Sequence, residues 1–146
     1  MLRNMKALHW FLPLITLFVS CQLAHAQDEK KNVAAAKKMF EAFNKHEWST
    51  MAGYYSDEAL FLDPSFGTEC VSKTRKETVA KYAEMEKMFP DIYDEITGIY
   101  PSGDKVIVEF TSTGTTPDGT KFKLPIIAVL TFKNGLIVKD ASYFDQ

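Results

Sequence analysis

An α+β fold is what this chain of 146 residues predicts, and three observations predict it. Up to Pro90, apolar residues recur at helical spacing. Beyond Pro90 they alternate with polar residues at a period of two. Between the alternating runs stand short Gly-containing turns of the hairpin type. Helices therefore come first, and the antiparallel meander they must cover comes after.

The first 26 residues read as a secretory signal rather than as part of the fold. Residues 1–6 carry Arg3 and Lys6 and no acid, residues 7–19 are almost wholly apolar, and Ala24-His25-Ala26 is a small-x-small cleavage site. The apolar run is too short to span a bilayer. Cleavage after Ala26 leaves residues 27–146 as one secreted or periplasmic domain. A second reading takes Phe18-Val19-Ser20-Cys21 as a lipoprotein box with Cys21 lipidated, the one route to a membrane. Either way the domain works outside the cytoplasm. Loss of Arg3 and Lys6 leaves 15 basic against 19 acidic side chains, a net charge of −4. Phosphate backbones and anionic headgroups are not attracted to such a chain, which excludes nucleic acid as a partner class. Cys70 is then the single cysteine, so no internal disulfide forms and stability rests on packing.

After a polar lead-in over residues 27–31, Val33, Ala36, Met39, Phe40 and Phe43 mark the inner face of an amphipathic helix, with Lys37, Lys38, Glu41 and Lys45 opposite. Asn44-Lys45-His46-Glu47 interrupts it. A short second helix follows from Trp48 to Tyr55, with Ser49 as its N-cap. An acidic turn leads to an apolar strand over residues 59–63, and Pro64, with no N–H to donate, ends its pairing. Residues 64–73 read as a loop carrying Phe66-Gly67. Thr74-x-x-Glu77 is a capping box opening a third helix with Val79, Tyr82, Met85 and Phe89 inward. Residues 92–100, 105–114, 120–132 and 136–144 are four strands, giving the order ααβαββββ. On the third of these, Leu124, Ile126, Ala128, Leu130 and Phe132 fill one face while Ile127 and Val129 lie on the other. Two apolar faces need two covers. The helices supply one, and a second copy of the chain, a homodimer through the sheet, is expected to supply the other.

The succession Asn44-x-His46-x-Trp48, Tyr55-x-Asp57-Glu58-Ala59, Leu62-Asp63-Pro64 and Asn134-Gly135-x-Ile137-Val138, ending in Tyr143-Phe144-Asp145, resembles the nuclear-transport-factor-2-like superfamily, and within it the SnoaL-like branch. Polyketide cyclases and, more distantly, ketosteroid isomerase are its relatives. The resemblance spans residues 32–146 and implies a cone: a strongly curved, mainly antiparallel sheet around the three helices, with a deep apolar pocket inside. By the resemblance, the isomerase's general base falls on Asp63. Its two oxyanion donors fall on Met39 and Ala128, neither of which donates a strong hydrogen bond. Losing one such donor costs about 3 kcal/mol, so steroid isomerisation is excluded. The cyclases' acid on the last strand falls on Ser142, with Asp140 two residues earlier on the same face as Val138 and Phe144. Asp145 has the opposite parity.

Asp63 thus has two readings, a carboxylate poised for proton transfer in an apolar cone and a plain turn former before proline. Asp140 is expected as a second acid, its bland alternative being a frayed strand end. Tyr55 is the pocket support, and Tyr82, Phe110, Ala128, Leu130, Ser142 and Phe144 are the expected lining. His46 reads as solvated, as do Asp91, Asp94 and Glu95. With no second histidine or thiolate pair in residues 27–146 and no Gly-rich phosphate loop, neither a metal nor a cofactor is expected. The functional expectation is a small, largely apolar ligand with cofactor-free acid/base chemistry of isomerase, cyclase or hydrolase type. The alternative is a non-catalytic binding or dimeric interaction module of the same fold.

Overall fold

A computed structural model describes residues 12–64 and 67–144, residues 12–25 as backbone only. The start of the expected signal, Phe66 and Asp145 lie outside the described residues. The elements run α1 (Leu12–Asn44), α2 (Trp48–Ala52), β1 (Tyr55–Leu62), β2 (Val71–Thr74), α3 (Arg75–Met88), β3 (Tyr93–Ser102), β4 (Lys105–Thr115), β5 (Lys121–Lys133) and β6 (Leu136–Tyr143). The strands form one curved sheet in the order β2-β1-β6-β5-β4-β3. Every pairing is antiparallel except that of β1 with β6.

α1 runs through the segment expected as a polar lead-in. Residues 27–31 hold neither Gly nor Pro and are mostly good helix formers, so nothing there stops it. Among the described residues no helix is long and apolar enough to cross a membrane. α1 buries Ala36, Met39, Phe40, Ala42 and Phe43, the face its spacing predicts. α2 is preceded by Glu47 rather than capped by Ser49, and no side chain caps it. Its buried Trp48 and Met51 hold it by packing instead.

β1 begins earlier than the acidic turn predicts. Tyr55 pairs with Ile137, and the parallel ladder resumes at Leu60 and Lys139 after an irregularity. Ser56, Asp57 and Glu58 occupy it, tied down by the Ser56 hydroxyl on the Glu58 and Ile137 carbonyls and by Arg75 on Asp57 at 3.0 Å. β2 replaces part of the expected loop, pairing Val71 to Thr74 with Phe61 to Glu58. Its four residues have no pattern of their own, and only the neighbouring edge makes them a strand. The capping box of Thr74 and Glu77 is present in both directions.

Inside the cone, Val106, Val108 and Phe110 of β4 and Ala128, Leu130 and Phe132 of β5 are buried under α1. The rings of Phe40 and Phe110 meet edge to face at 4.9 Å. Leu130 and Val108, fully enclosed, contribute about 2 kcal/mol each by burial. β6 corrects the expected alternation. Ile137 pairs with Phe132 but Lys139 with Thr131, so Val138 is the extra residue of a bulge. Ile137, completely buried, takes the inward place expected for Val138, and Asp140 and Ser142 keep theirs opposite Leu130 and Ala128.

Candidate functional site

The cone encloses a chamber of about 570 Å³ walled by Phe43, Met85, Phe89, Phe110, Phe122 and Ile126. Behind it lies a smaller cavity of about 50 Å³, reached by Met39, Tyr55, Ala128, Leu130 and Asp140. Tyr82, Phe110 and Ser142 line both, Asp63 and Phe144 only the chamber. Every residue expected to line a pocket therefore borders one of the two spaces.

Asp63 stands immediately after β1, facing the chamber, and it is not solitary. Lys81 of α3 brings its Nζ to 2.9 Å from Asp63 Oδ2, and both side chains are 19% exposed. The Lys81 ammonium also lies 5.1 Å from the centre of the Tyr82 ring and 5.9 Å from that of Phe61. An ion pair set against aromatic faces in a largely dry wall holds its charges in place.

Asp140 is buried within the sheet, not at a frayed end. Its Oδ2 accepts from the Tyr55 hydroxyl at 2.7 Å, and the Ser142 hydroxyl approaches Oδ1 at 3.5 Å. Burial pushes the Asp140 carboxyl up, while the Tyr55 hydrogen bond and the Lys81 charge pull it down. Burial, and next the Asp140 charge, push the Tyr55 phenol well above its ordinary range, so Tyr55 remains a donor. Tyr82 is raised in the same way, by burial and then by Asp140, Asp63 and Asp94. Tyr82 thus lines the chamber together with Asp63 and Asp94 and the smaller cavity together with Asp94 and Asp140.

Asp94 corrects the expectation of a solvated acid: it is 7% exposed. It pairs with Ser112 across β3 and β4, so alternation turns both side chains inward, and it borders both cavities. Burial pushes its carboxyl up to about 7, with the Ser112 hydroxyl pulling the other way. Parity was the available signal, since Asp94 shares a strand face with Ile92 and Ile96. Lys81 carried no such signal, because its role arises from contact with a residue 18 positions away.

His46 also departs from expectation. Its Nε2 lies 3.1 Å from the Ile92 carbonyl and its Nδ1 3.1 Å from Glu86 Oε1. Trp48 donates its indole N–H to the other Glu86 oxygen at 2.6 Å. Asn44 grips the Asp94 backbone in both directions, donating to its carbonyl and accepting from its N–H, each at 2.8 Å. Asn44, His46 and Trp48 thus lock the α1–α2 turn to α3 and to the start of β3. Asn44→Ala is expected to cost about 2 kcal/mol, two hydrogen bonds at about 1 kcal/mol each, as measured by urea unfolding. Among the described residues, no group of three or more His, Cys, Asp or Glu is arranged to hold a metal ion.

Residues 36–139 match the SnoaL-like domain. The chain belongs to the SnoaL-like family. This SnoaL-like protein is similar in fold to a hypothetical protein with a ketosteroid isomerase-like fold from Catenulispora acidiphila, solved in complex with trimethylamine, at 18% identity and TM-score 0.68, over 76% of this chain and 85% of that one. A putative SnoaL-like polyketide cyclase from Jannaschia sp. is similar at 17% identity and TM-score 0.67, over 80% and 86%. An LEH-like epoxide hydrolase from M. tuberculosis is similar at 16% identity and TM-score 0.68, over 80% and 84%. No curated protein matches the chain in sequence. At these identities the likeness is one of fold, and what the SnoaL-like cone does here must come from its own side chains.

Proposed function

We propose that this SnoaL-like domain is exported and binds a small, largely apolar molecule in the cone, on which it performs cofactor-free proton transfer. One observation carries the reading: the acids around Tyr82 occupy opposed environments. Asp63 is held against an ammonium, whereas burial drives Asp140 toward its neutral form. Carboxyls whose surroundings separate them in this way suit a base and an acid working on one ligand. Asp63 is the base and Asp140, backed by Tyr55 and Ser142, the second acid. The fold neighbours described as a polyketide cyclase and an epoxide hydrolase are consistent with a chemistry of this class.

The test is solvent deuterium uptake at the carbon beside the carbonyl of small apolar ketones, followed by NMR. Asp63→Asn is expected to slow the exchange at least ~100-fold, the lower end of what a general base contributes. Ketones that bind without exchanging would leave a binding module. Ketones that do not bind would remove the ligand reading altogether.

The dimer is a second part of the proposal, favoured by the outer sheet face, where Leu60 is 43%, Ile127 44% and Tyr143 53% exposed. Apolar side chains of this size on one face suit a second copy. Light scattering at micromolar concentration is expected to give a dimer, and Ile127→Glu a folded monomer whose melting transition no longer depends on protein concentration. Export is checked by N-terminal sequencing of the mature protein, with Gln27 as the expected first residue.

A further inference from the structure

We propose that Asp94 is a ligand-binding group of the cone, making through its unpartnered carboxyl oxygen the one directed hydrogen bond to a carbonyl-type oxygen on an otherwise apolar, uncharged ligand. The inference rests on the small-molecule reading above and adds the polar anchor and the substrate class. Among the described residues, Asp94 Oδ1 is the buried side-chain oxygen with no hydrogen-bond partner. A buried polar atom without a partner costs roughly 1–3 kcal/mol, and such an atom, bordering the chamber, is satisfied by what enters it. Asn44 fixes its backbone from both sides, so the strand that presents the carboxyl is held in place.

The surroundings select a neutral ligand. Lys81 of α3, Asp63 after β1 and Lys123 of β5 line the chamber, Asp140 of β6 lines the smaller cavity behind it, and Tyr82 of α3 borders both. On the α1 side, Lys37 and Glu41 border a groove against β3 that Asp94 also lines, and neither reaches the chamber or the smaller cavity. The Asp63 charge is already met by Lys81 at 2.9 Å, and Asp140 is met by Tyr55. A cation would have to ionise a carboxyl that burial keeps close to neutrality. A carbonyl oxygen accepts from it as it stands.

Acetophenone, α-methylstyrene and α-methylbenzylamine share one frame and differ in offering an acceptor, nothing polar or a cation, so they are the probes. Affinities are read by amide NMR titration of the whole chain from residue 27. At pH 6, Asp94→Leu is expected to weaken acetophenone about tenfold and leave α-methylstyrene within twofold. Acetophenone is expected to weaken on wild type as pH rises from 6 to 8. Asp94→Asn, which keeps a donor but cannot titrate, is expected to bind acetophenone as wild type does at pH 6 and to lose the pH dependence. An equal response of acetophenone and α-methylstyrene to these changes overturns the proposal. So does an amine that binds more tightly as pH rises and depends on Asp94. If none of the three binds, the small-molecule reading itself fails and takes this one with it.

Discussion

Asp94→Asn raises stability at pH 8 by about 4 kcal/mol and changes it little at pH 4. Burial pushes the carboxyl up to about 7 in the folded chain from its ordinary 3.8, and each pH unit between them is worth ~1.4 kcal/mol. Because the folded pKa is the higher one, the native state binds more protons than the unfolded chain between these values. Stability therefore falls as pH rises through that window and is flat above it. Below pH 4 the acid is neutral in both states and the substitution removes no charge. The amide has the same shape and also leaves one group unmet, so the gain is confined to the ionisation cost. Urea unfolding at pH 4, 6 and 8 reads it as a gap that widens with pH. A constant gap would mean that Asp94 is not held neutral by burial. A residue whose replacement stabilises the fold, and whose own backbone is clamped in place, fits a cost retained for a ligand.

The legible parts of this fold were the local ones. α1 announced itself by the period of Ala36, Met39, Phe40 and Phe43, α3 by its capping box, and the hairpins by Gly103, Gly119 and Gly135, all at positive φ. What the chain concealed depends on partners distant in sequence. β2 is a strand because β1 lies beside it, and Tyr55 starts β1 early because Ile137 waits 82 positions later. The bulge at Val138 follows from how β6 meets β5. The site divides in the same way. Asp63 and Asp140 were identifiable because a strand end and a strand parity point them inward. Asp94 sat in a cluster of acids that looks solvated, and its parity with Ile92 weighed less than its neighbours Asp91 and Glu95. The contacts of His46 leave no local trace, because neither Glu86 nor the Ile92 carbonyl is close in sequence.

Lys81→Met is expected to destabilise the protein by about 2 kcal/mol at pH 8, with a loss that shrinks as pH falls. Methionine keeps the length of the stem that crosses the Tyr82 and Phe61 rings, so packing is largely retained. What is removed is the cation 2.9 Å from Asp63, which also pulls the Asp140 carboxyl down. Breaking a fully buried pair costs roughly 3–5 kcal/mol, and the 19% exposure of both side chains lets water meet part of the freed charge, hence the smaller figure. Without the cation, Asp63 is left as an unbalanced carboxylate in a largely dry wall, and the Asp140 carboxyl loses the charge that holds it down. Asp63→Asn in the same background is expected to recover most of the loss, because it removes the charge that Lys81 balanced. A double-mutant cycle isolates that coupling. If the two single substitutions simply add, Lys81 and Asp63 are neighbours rather than partners, and the base proposed here has no counter-charge holding it ready.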